Sequence, residues 1–398
     1  MPRAVSPALP PPASLPPEEA RRYLVGHLGL ARPAYPAGAR GVRALLQGLR
    51  CIQLDPLDVI GTNADLVALA RVDGIARGDV YRHLLPGHAF EHFAKERCLL
   101  PGSAFPYYRE RTALAPWRQA ERARRVPEAV LKAVLEEVRA RGPASAEELT
   151  DHGRVDPLDW NGWKGTGRAT TMALEVLWAR CQVVVCGRGA SGKVYDVPDR
   201  ALPRVAETKP AESFERWAVC ERVEAAGLLC RVAGPHWSVL SDVRTSPLPD
   251  ALVREGVLEE VVLPGSPRRF LAPRGFRQRE VPALDERMRI LGPLDPLLWD
   301  RTLVRLAFGF DYVWEVYKPA ERRQWGWYVC PLLYRGELVG RIEARVREDT
   351  LHVEKLWREP NAAFDDAALD EALARHARAC GAERVRRPRS RNAPRRAS

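Results

Sequence analysis

Apolar residues recur every three or four positions through PEEARRYLVGHLGL (17–30) and again through 38–49. This is the spacing of helices that bury one face. Pro17 stands at the start of the first and Glu18 and Glu19 in its first turn, as helix N-termini favour. Further helices are expected near 78–85 and 86–98, followed by a polar aromatic run, FPYYRERTALAPWRQAERARR. VPEAVLKAVLEEVRARG predicts an amphipathic helix ended by Gly142-Pro143, and Ser145 is placed to cap a short helix with Glu148 as its capping-box partner. RATTMALEVLWARC reads as another helix, and QVVVCGRGASGKVYDV as two β arms around a glycine-rich turn. Helix, helix, helix and hairpin is the winged-helix order, a variant of helix-turn-helix. The order recurs at 212–273, where helices around 212–226 and 247–255 precede the hairpin VLEEVVLPGSPRRFLAP, with Arg268 and Arg269 near its turn.

After Pro293 the pattern turns to strands, at DYVWEVYKP, WGWYVCPLLYRGELVGRIEARVRED and TLHVEKLWRE. Arg335-Gly336 marks a hairpin, and Arg341, Glu343 and Arg345 alternate with Ile342, Ala344 and Val346. A helix over about 365–380 follows. The fold class expected is α+β: tandem winged-helix domains followed by a small C-terminal antiparallel β-barrel-like domain. The partition is a disordered proline-rich lead (1–17), a winged-helix-like domain (18–126), two further winged helices (127–204 and 205–285), a β-rich domain (286–382) and a basic disordered tail (383–398).

A chain of 398 residues exceeds a single core, in keeping with this partition. The formal charge of +11 points to an anionic partner, but residues 383–398 alone hold seven Arg against one Glu. Arginine placement therefore matters more than its abundance. The eight cysteines include no CxxC pair, Cys181 and Cys186 being closest, and free thiols in a reducing cytoplasm are expected. His88 and His92 have helical i,i+4 spacing but no third ligand nearby, so no metal is expected. Neither a signal peptide nor a membrane span is apparent.

The chemistry-bearing feature is Gln53-Leu54-Asp55, at the end of the second helix. In an extended segment Gln53 and Asp55 share a face while Leu54 points into the core, and Pro56 biases Asp55 towards that geometry. A carboxylate can activate water or hold a developing cation; an amide can orient that water by donating and accepting together.

Several blocks resemble one family: IQLDPLDVI (52–60), FEHFAKERCLLP (90–101), KVYDVPDR (193–200), GPLDPLLWDR (292–301) and FDYVWEVYKPAERRQWGWYVCPLLYRGELVGRIEAR (310–345). Over about residues 18–358 the chain resembles the bacterial winged-helix DNA glycosylases that remove alkylated purines and unhook interstrand crosslinks, the YcaQ-like branch of the AlkZ superfamily. The resemblance implies tandem winged helices and a β-barrel around a DNA channel, with Gln53 and Asp55 as the catalytic pair. It also implies a cofactor-free, monomeric enzyme of the bacterial cytoplasm and nucleoid, acting on double-stranded DNA with alkylated or crosslinked purines. Where the family tends to carry Tyr-Trp-Ala-His-Glu, this chain reads His92-Phe93-Ala94-Lys95-Glu96. Lys95 is then a phosphate contact or, less in keeping with the rest, a Schiff-base lysine. Glu91, Lys95 and Glu96 are expected to flank the pocket. DNA-binding candidates are Trp163, Lys164 and Arg168 around a recognition-like helix, and Arg301, Arg322 and Arg323 along the channel. Two rival readings are a winged-helix regulator and a catalytically silent lesion-recognition factor.

Overall fold

A computed structural model of the chain describes residues 8–111, 123–156 and 167–387. Helices and strands alternate in a mixed α+β fold, and no helix among the described residues is long and apolar enough to cross a membrane. The chain divides into two compact units, Tyr81–Trp217 and the combination of Met1–Val80 with Ala218–Ser398.

In the 81–217 unit the helices Glu128–Arg141 and Ala169–Ala179 form where the periodicity places them. Strands Val184–Gly189 and Gly192–Asp196 make the expected hairpin, and the short strand Ala144–Ser145 adds to the second arm, antiparallel. The helix expected at Ser145 is instead a turn: Glu148 accepts from the Ser145 N–H at 2.8 Å and hydroxyl at 2.7 Å, so the acidic half of the capping box forms without the helix. The helix expected over 86–98 is also corrected, to an antiparallel hairpin of Ala89–Ala94 and Glu96–Pro101. Both faces of its first strand are largely buried, so the two-residue alternation that identifies a strand is erased.

The other unit repeats the same order. Helix Phe214–Ala226, most of which belongs here, is followed by strand Leu229–Cys230, helices Ser241–Thr245 and Leu248–Arg254, and strands Leu258–Val262 and Arg269–Pro273. As in the first copy, the short strand after the leading helix pairs antiparallel with the last strand. Ala13–Ser14, expected in a disordered lead, pairs in parallel with Val261 and Val262, and the Leu15 N–H donates to the Val262 carbonyl at 2.9 Å. The exposed edge of the sheet offers main-chain partners that a patternless segment can take.

The C-terminal part of this unit is a five-stranded sheet in the order Arg289–Ile290, Val329–Tyr334, Glu337–Arg347, Thr350–Arg358, Arg384–Arg386. Its last pair is parallel, so the sheet is not purely antiparallel, and the tail expected to be disordered supplies the fifth strand. Helix Asp366–Ala379 covers one face, packing Leu369 and Leu373 against Ile342, Leu351 and Leu356. DYVWEVYKP, expected as a strand, is irregular. A side chain of the segment, not a ladder, ties it to the residues that follow: the buried Glu315 carboxylate accepts from the Gln324 N–H (3.1 Å) and the Trp325 N–H (2.7 Å).

Candidate active site

The helix Gly38–Leu49 ends at Arg50, whose φ of 63° is the left-handed conformation that reverses the chain into the strand Ile52–Gln53. Ile52 is 0% and Gln53 7% exposed, whereas Leu54 is half-buried. The core is therefore met by Ile52 rather than Leu54. The Gln53 carbonyl accepts from the buried Asn63 amide at 2.8 Å, and the Asn63 carbonyl oxygen accepts from the Leu294 N–H at 3.1 Å. Asn63 is aimed by the helix it begins, which has a full capping box between Thr62 and Asp65. Thus the GPLDPLLWDR block holds the Gln53 strand in place. Arg71 fixes the same block with a bidentate pair to Asp295 at 2.7 and 2.9 Å, both side chains fully buried.

Asp55 is half-buried and accepts from the Leu57 N–H at 2.9 Å, closing a turn across Pro56. Burial raises its pKa above the ordinary carboxylate value, with the Leu57 hydrogen bond acting against the rise. The following residues are pinned in turn. Asp58 pairs with Arg77 at 2.7 Å, the Val59 carbonyl accepts from Val346 at 3.1 Å, and the Ile60 carbonyl accepts from His376 Nε2 at 2.6 Å. Burial keeps His376 below the usual imidazole range, consistent with a neutral ring donating through Nε2. Tyr328 lies within electrostatic reach of Asp55; its phenol is pushed well up, first by burial and then by Cys330 and Asp55. Sequence reasoning missed Asn63 and Tyr328; the signals available were that Asn63 follows the 52–60 block and that Tyr328 lies within the 310–345 block.

The other candidates divide between the units. Arg301 is exposed at the first turn of helix Arg301–Phe308, which Asp300 caps. Arg322 is exposed at the end of the short 3-10 helix Ala320–Arg322, and Arg323 donates from Nε to the Lys318 carbonyl at 2.7 Å while lining an open cleft of about 440 Å³ with Trp325, Trp327 and Trp357. A second cavity of about 350 Å³ is lined by Arg287, Arg289 and Arg375. Neither cavity has Gln53 or Asp55 in its wall.

In the 81–217 unit, Glu91, Lys95 and Glu96 lie on the hairpin, not on a helix surface. Glu91 is 0% exposed and pairs with Arg188 and, at 3.8 Å, with Arg97. Lys95 is only 6% exposed, which does not suit a surface phosphate contact, and Glu96 is exposed with φ 83°. His92 stacks on Trp178 at 5.1 Å, and its ring is held down to about 4 by burial. The strand placement removes the helical spacing of His88 and His92. Glu175 takes Lys193 at 2.7 Å and Arg97 at 3.2 Å; burial opposes its ionisation, but these cations outweigh it and hold the carboxyl at about 2. The hairpin cations Arg188 and Lys193 are therefore engaged by buried acids. Arg168 precedes helix Ala169–Ala179 and faces Asp151 at 3.9 Å. Trp163 and Lys164 lie outside the described residues.

One group of metal-type side chains occurs among the described residues, Cys230, His236 and Asp300, with ligand atoms within 4.8 Å of one another. Arg268 faces the Cys230 sulfur at 3.9 Å, and burial pushes that thiol up, away from the thiolate a metal needs. Asp300 caps the helix through Oδ1, while its buried Oδ2 has no hydrogen-bond partner among the described residues.

Among solved structures, the Streptomyces sahachiroi DNA glycosylase AlkZ shares the fold, with a TM-score of 0.57 over 92% of this chain and 99% of that one, at 18% sequence identity. The family model described as DNA glycosylase AlkZ-like matches residues 46–379, a span that includes the Gln53–Asp55 segment and the 292–301 block that holds it. The chain belongs to the AlkZ-like DNA glycosylase family and is a DNA N-glycosylase.

Proposed function

We propose that the chain is a monofunctional glycosylase that hydrolyses the N-glycosidic bond of purines alkylated at N7 or N3, including those joined in interstrand crosslinks. The observation that carries this reading is the Asp55 carboxylate: fixed by one main-chain N–H, half-buried, and raised in proton affinity by that burial. An alkylated purine is already cationic and leaves with the electron pair of its bond to C1′, so it needs no acid to protonate it. The sugar left behind gains oxocarbenium character, as in glycoside hydrolysis generally. Asp55 stabilises that cation and takes the proton of the attacking water, whose oxygen bonds to C1′. The Gln53 amide orients the water by donating and accepting together.

The two copies of helix, strand, helix and hairpin support reading 127–204 and 205–285 as winged helices, with a further winged-helix-like domain before them and a β-rich domain after. Arg168, Arg301, Arg322 and Arg323 then contribute contacts to the DNA backbone, with Trp163 and Lys164 beside the recognition helix. The enzyme acts as a monomer on double-stranded DNA.

Base release from a duplex carrying N7-methylguanine, compared between wild type, Asp55→Asn and Gln53→Ala, tests the assignment. Loss of release with retained binding in Asp55→Asn is the expected outcome. Lesion binding without release by the wild type would identify a silent recognition factor, and a preference for one undamaged sequence a regulator. A borohydride-trapped adduct lost in Lys95→Ala would replace the hydrolytic route with Schiff-base chemistry.

A further inference from the structure

Tyr317 is 86% exposed, while the other exposed large apolar side chains among the described residues range from 36% to 45%. The turn that carries it is held from several sides. Glu315, 2% exposed, accepts from Lys318 Nζ at 2.8 Å and from the main-chain N–H groups of Gln324 and Trp325. The Lys318 N–H donates to the Glu315 carbonyl at 2.9 Å, and Arg323 Nε to the Lys318 carbonyl at 2.7 Å. Tyr312 is tied down by its hydroxyl, which donates to the Val329 carbonyl at 3.0 Å. The ring is thus presented on a fixed turn, and ordering the backbone there costs a ligand little.

Its neighbours indicate what it meets. Lys318, Glu321 and Arg322 are exposed around it, interleaved with the small apolar residues Val313, Pro319 and Ala320, and the ring is the one exposed aromatic side chain among the described residues, in a charged setting. A protein-docking core is a contiguous apolar patch with few charges, which this is not. Lys318 is engaged by Glu315, which leaves Arg322 as the exposed cation beside the ring; an aromatic ring next to a cation is the combination that binds nucleic acid, stacking on a base while the cation meets a phosphate. From Tyr317 a series of edge-on aromatic contacts runs inward. The ring meets Trp314 at 5.8 Å and 71°, Trp314 meets Tyr328 at 6.4 Å and 81°, and Tyr328 feels the charge of Asp55.

We propose that Tyr317 is a base-stacking residue that occupies the duplex beside the damaged nucleotide and holds the gap opened there. The inference rests on the glycosylase reading for its substrate, but its test needs no bond cleavage. A duplex with a tetrahydrofuran abasic analogue flanked by 2-aminopurine reports stacking by fluorescence and binding by anisotropy. Wild type, Tyr317→Phe and Asp55→Asn are expected to alter the 2-aminopurine signal alike, and Tyr317→Ala to leave it unchanged. Tyr317→Ala should also bind about 5- to 150-fold more weakly, with an unaltered slope of affinity against salt because no phosphate contact is lost. Its melting temperature should match the wild type, since the ring packs against little. An unchanged affinity or a persisting fluorescence signal in Tyr317→Ala would overturn the inference while leaving Asp55 catalysis standing. A wild-type enzyme that gives the stacking signal but releases no base would do the reverse.

Discussion

Asn63 carries the tie between the Gln53 strand and the 292–301 block, and its replacement by alanine is the sharpest test of that tie. The change removes two main-chain hydrogen bonds together, the one the Gln53 carbonyl accepts and the one the Leu294 N–H donates. Asn63 is 1% exposed, so water does not reach either group without a local opening. The Leu294 N–H costs about 1–3 kcal/mol if left unsatisfied, and the bond lost at the Gln53 carbonyl adds up to about as much again. The lost side-chain volume adds roughly 1 kcal/mol. The expected destabilisation is therefore about 2–7 kcal/mol, read from urea denaturation followed by tryptophan fluorescence. Asn63→Asp refines the argument because it keeps the shape and the acceptor for Leu294 but turns the donor towards Gln53 into an acceptor. A carboxylate oxygen facing a carbonyl oxygen is repelled, whereas a protonated carboxyl can donate as the amide does. The folded-state pKa of the introduced carboxyl must accordingly rise above its unfolded value. Its stabilising contribution is complete below the unfolded value, about 4, and is lost as pH climbs through the folded one. A carboxylate in the first turn of a helix recovers about 0.3–1 kcal/mol, too little to offset the repulsion. Stability of Asn63→Asp close to wild type at about pH 4 and clearly lower at about pH 8 is the expected pattern. An alanine variant within about 0.5 kcal/mol of wild type, or an aspartate variant with no pH dependence beyond the wild type's own, refutes the tie.

Because burial raises the Asp55 pKa, base release should fall on the acid side at a pH above the ordinary aspartate value; a pH–rate profile corrected for spontaneous depurination measures this. Ionising a carboxyl whose folded pKa is raised works against folding as pH rises, so Asp55→Asn should be no less stable than wild type at neutral pH, by thermal melting. Glu175 is held at about 2 against an ordinary 4.5, so the stability it supplies is complete above 4.5 and lost as pH falls towards 2; Glu175→Gln should flatten that loss, about 3 kcal/mol, in acid denaturation. Arg341→Leu should cost about 2–4 kcal/mol and open the 310–328 loop to limited proteolysis, since it leaves Glu359 and the Asp311 carbonyl without their guanidinium.

Long amphipathic helices were legible because one face is wet: Gly38–Leu49, Glu128–Arg141 and Asp366–Ala379 fall where periodicity puts them. The hairpin around Arg335-Gly336 was legible from its turn residues, although both faces of its strands are largely buried. The hairpin at 89–101 was not, because Phe90 and Glu91 are both at 0% exposure on opposite faces. A buried acid held by Arg188 looks, in a string of letters, like a surface acid. The Gln53–Asp55 segment could be singled out by residue type and by the blocks around it. Its partners could not, since Asn63, Leu294 and Tyr328 are brought to it by tertiary packing and carry no local pattern.

The alternation of Arg341, Glu343 and Arg345 with apolar neighbours reads as a sheet with one solvated face, and the burial contradicts that reading in an instructive way. Arg341 is 2% and Glu343 5% exposed. Leaving such charges in a core without partners would be strongly unfavourable, so each must be matched by polar groups. Arg341 lies between the rings of Phe310 and Trp325, at 4.1 and 4.0 Å, and donates to the Asp311 carbonyl and to Glu359. Glu343 accepts from the Trp327 N–H at 2.6 Å and pairs with Lys355 at 2.9 Å. Together with Glu315, these side chains supply the irregular 310–328 loop with the hydrogen bonds that a ladder would otherwise provide. A segment with a strand's composition can then adopt a non-repeating path and still be rigid. That path carries Tyr328 to the neighbourhood of Asp55 and Tyr317 out to solvent, which is why the charged face of the sheet belongs to the scaffold of the proposed site rather than to the surface.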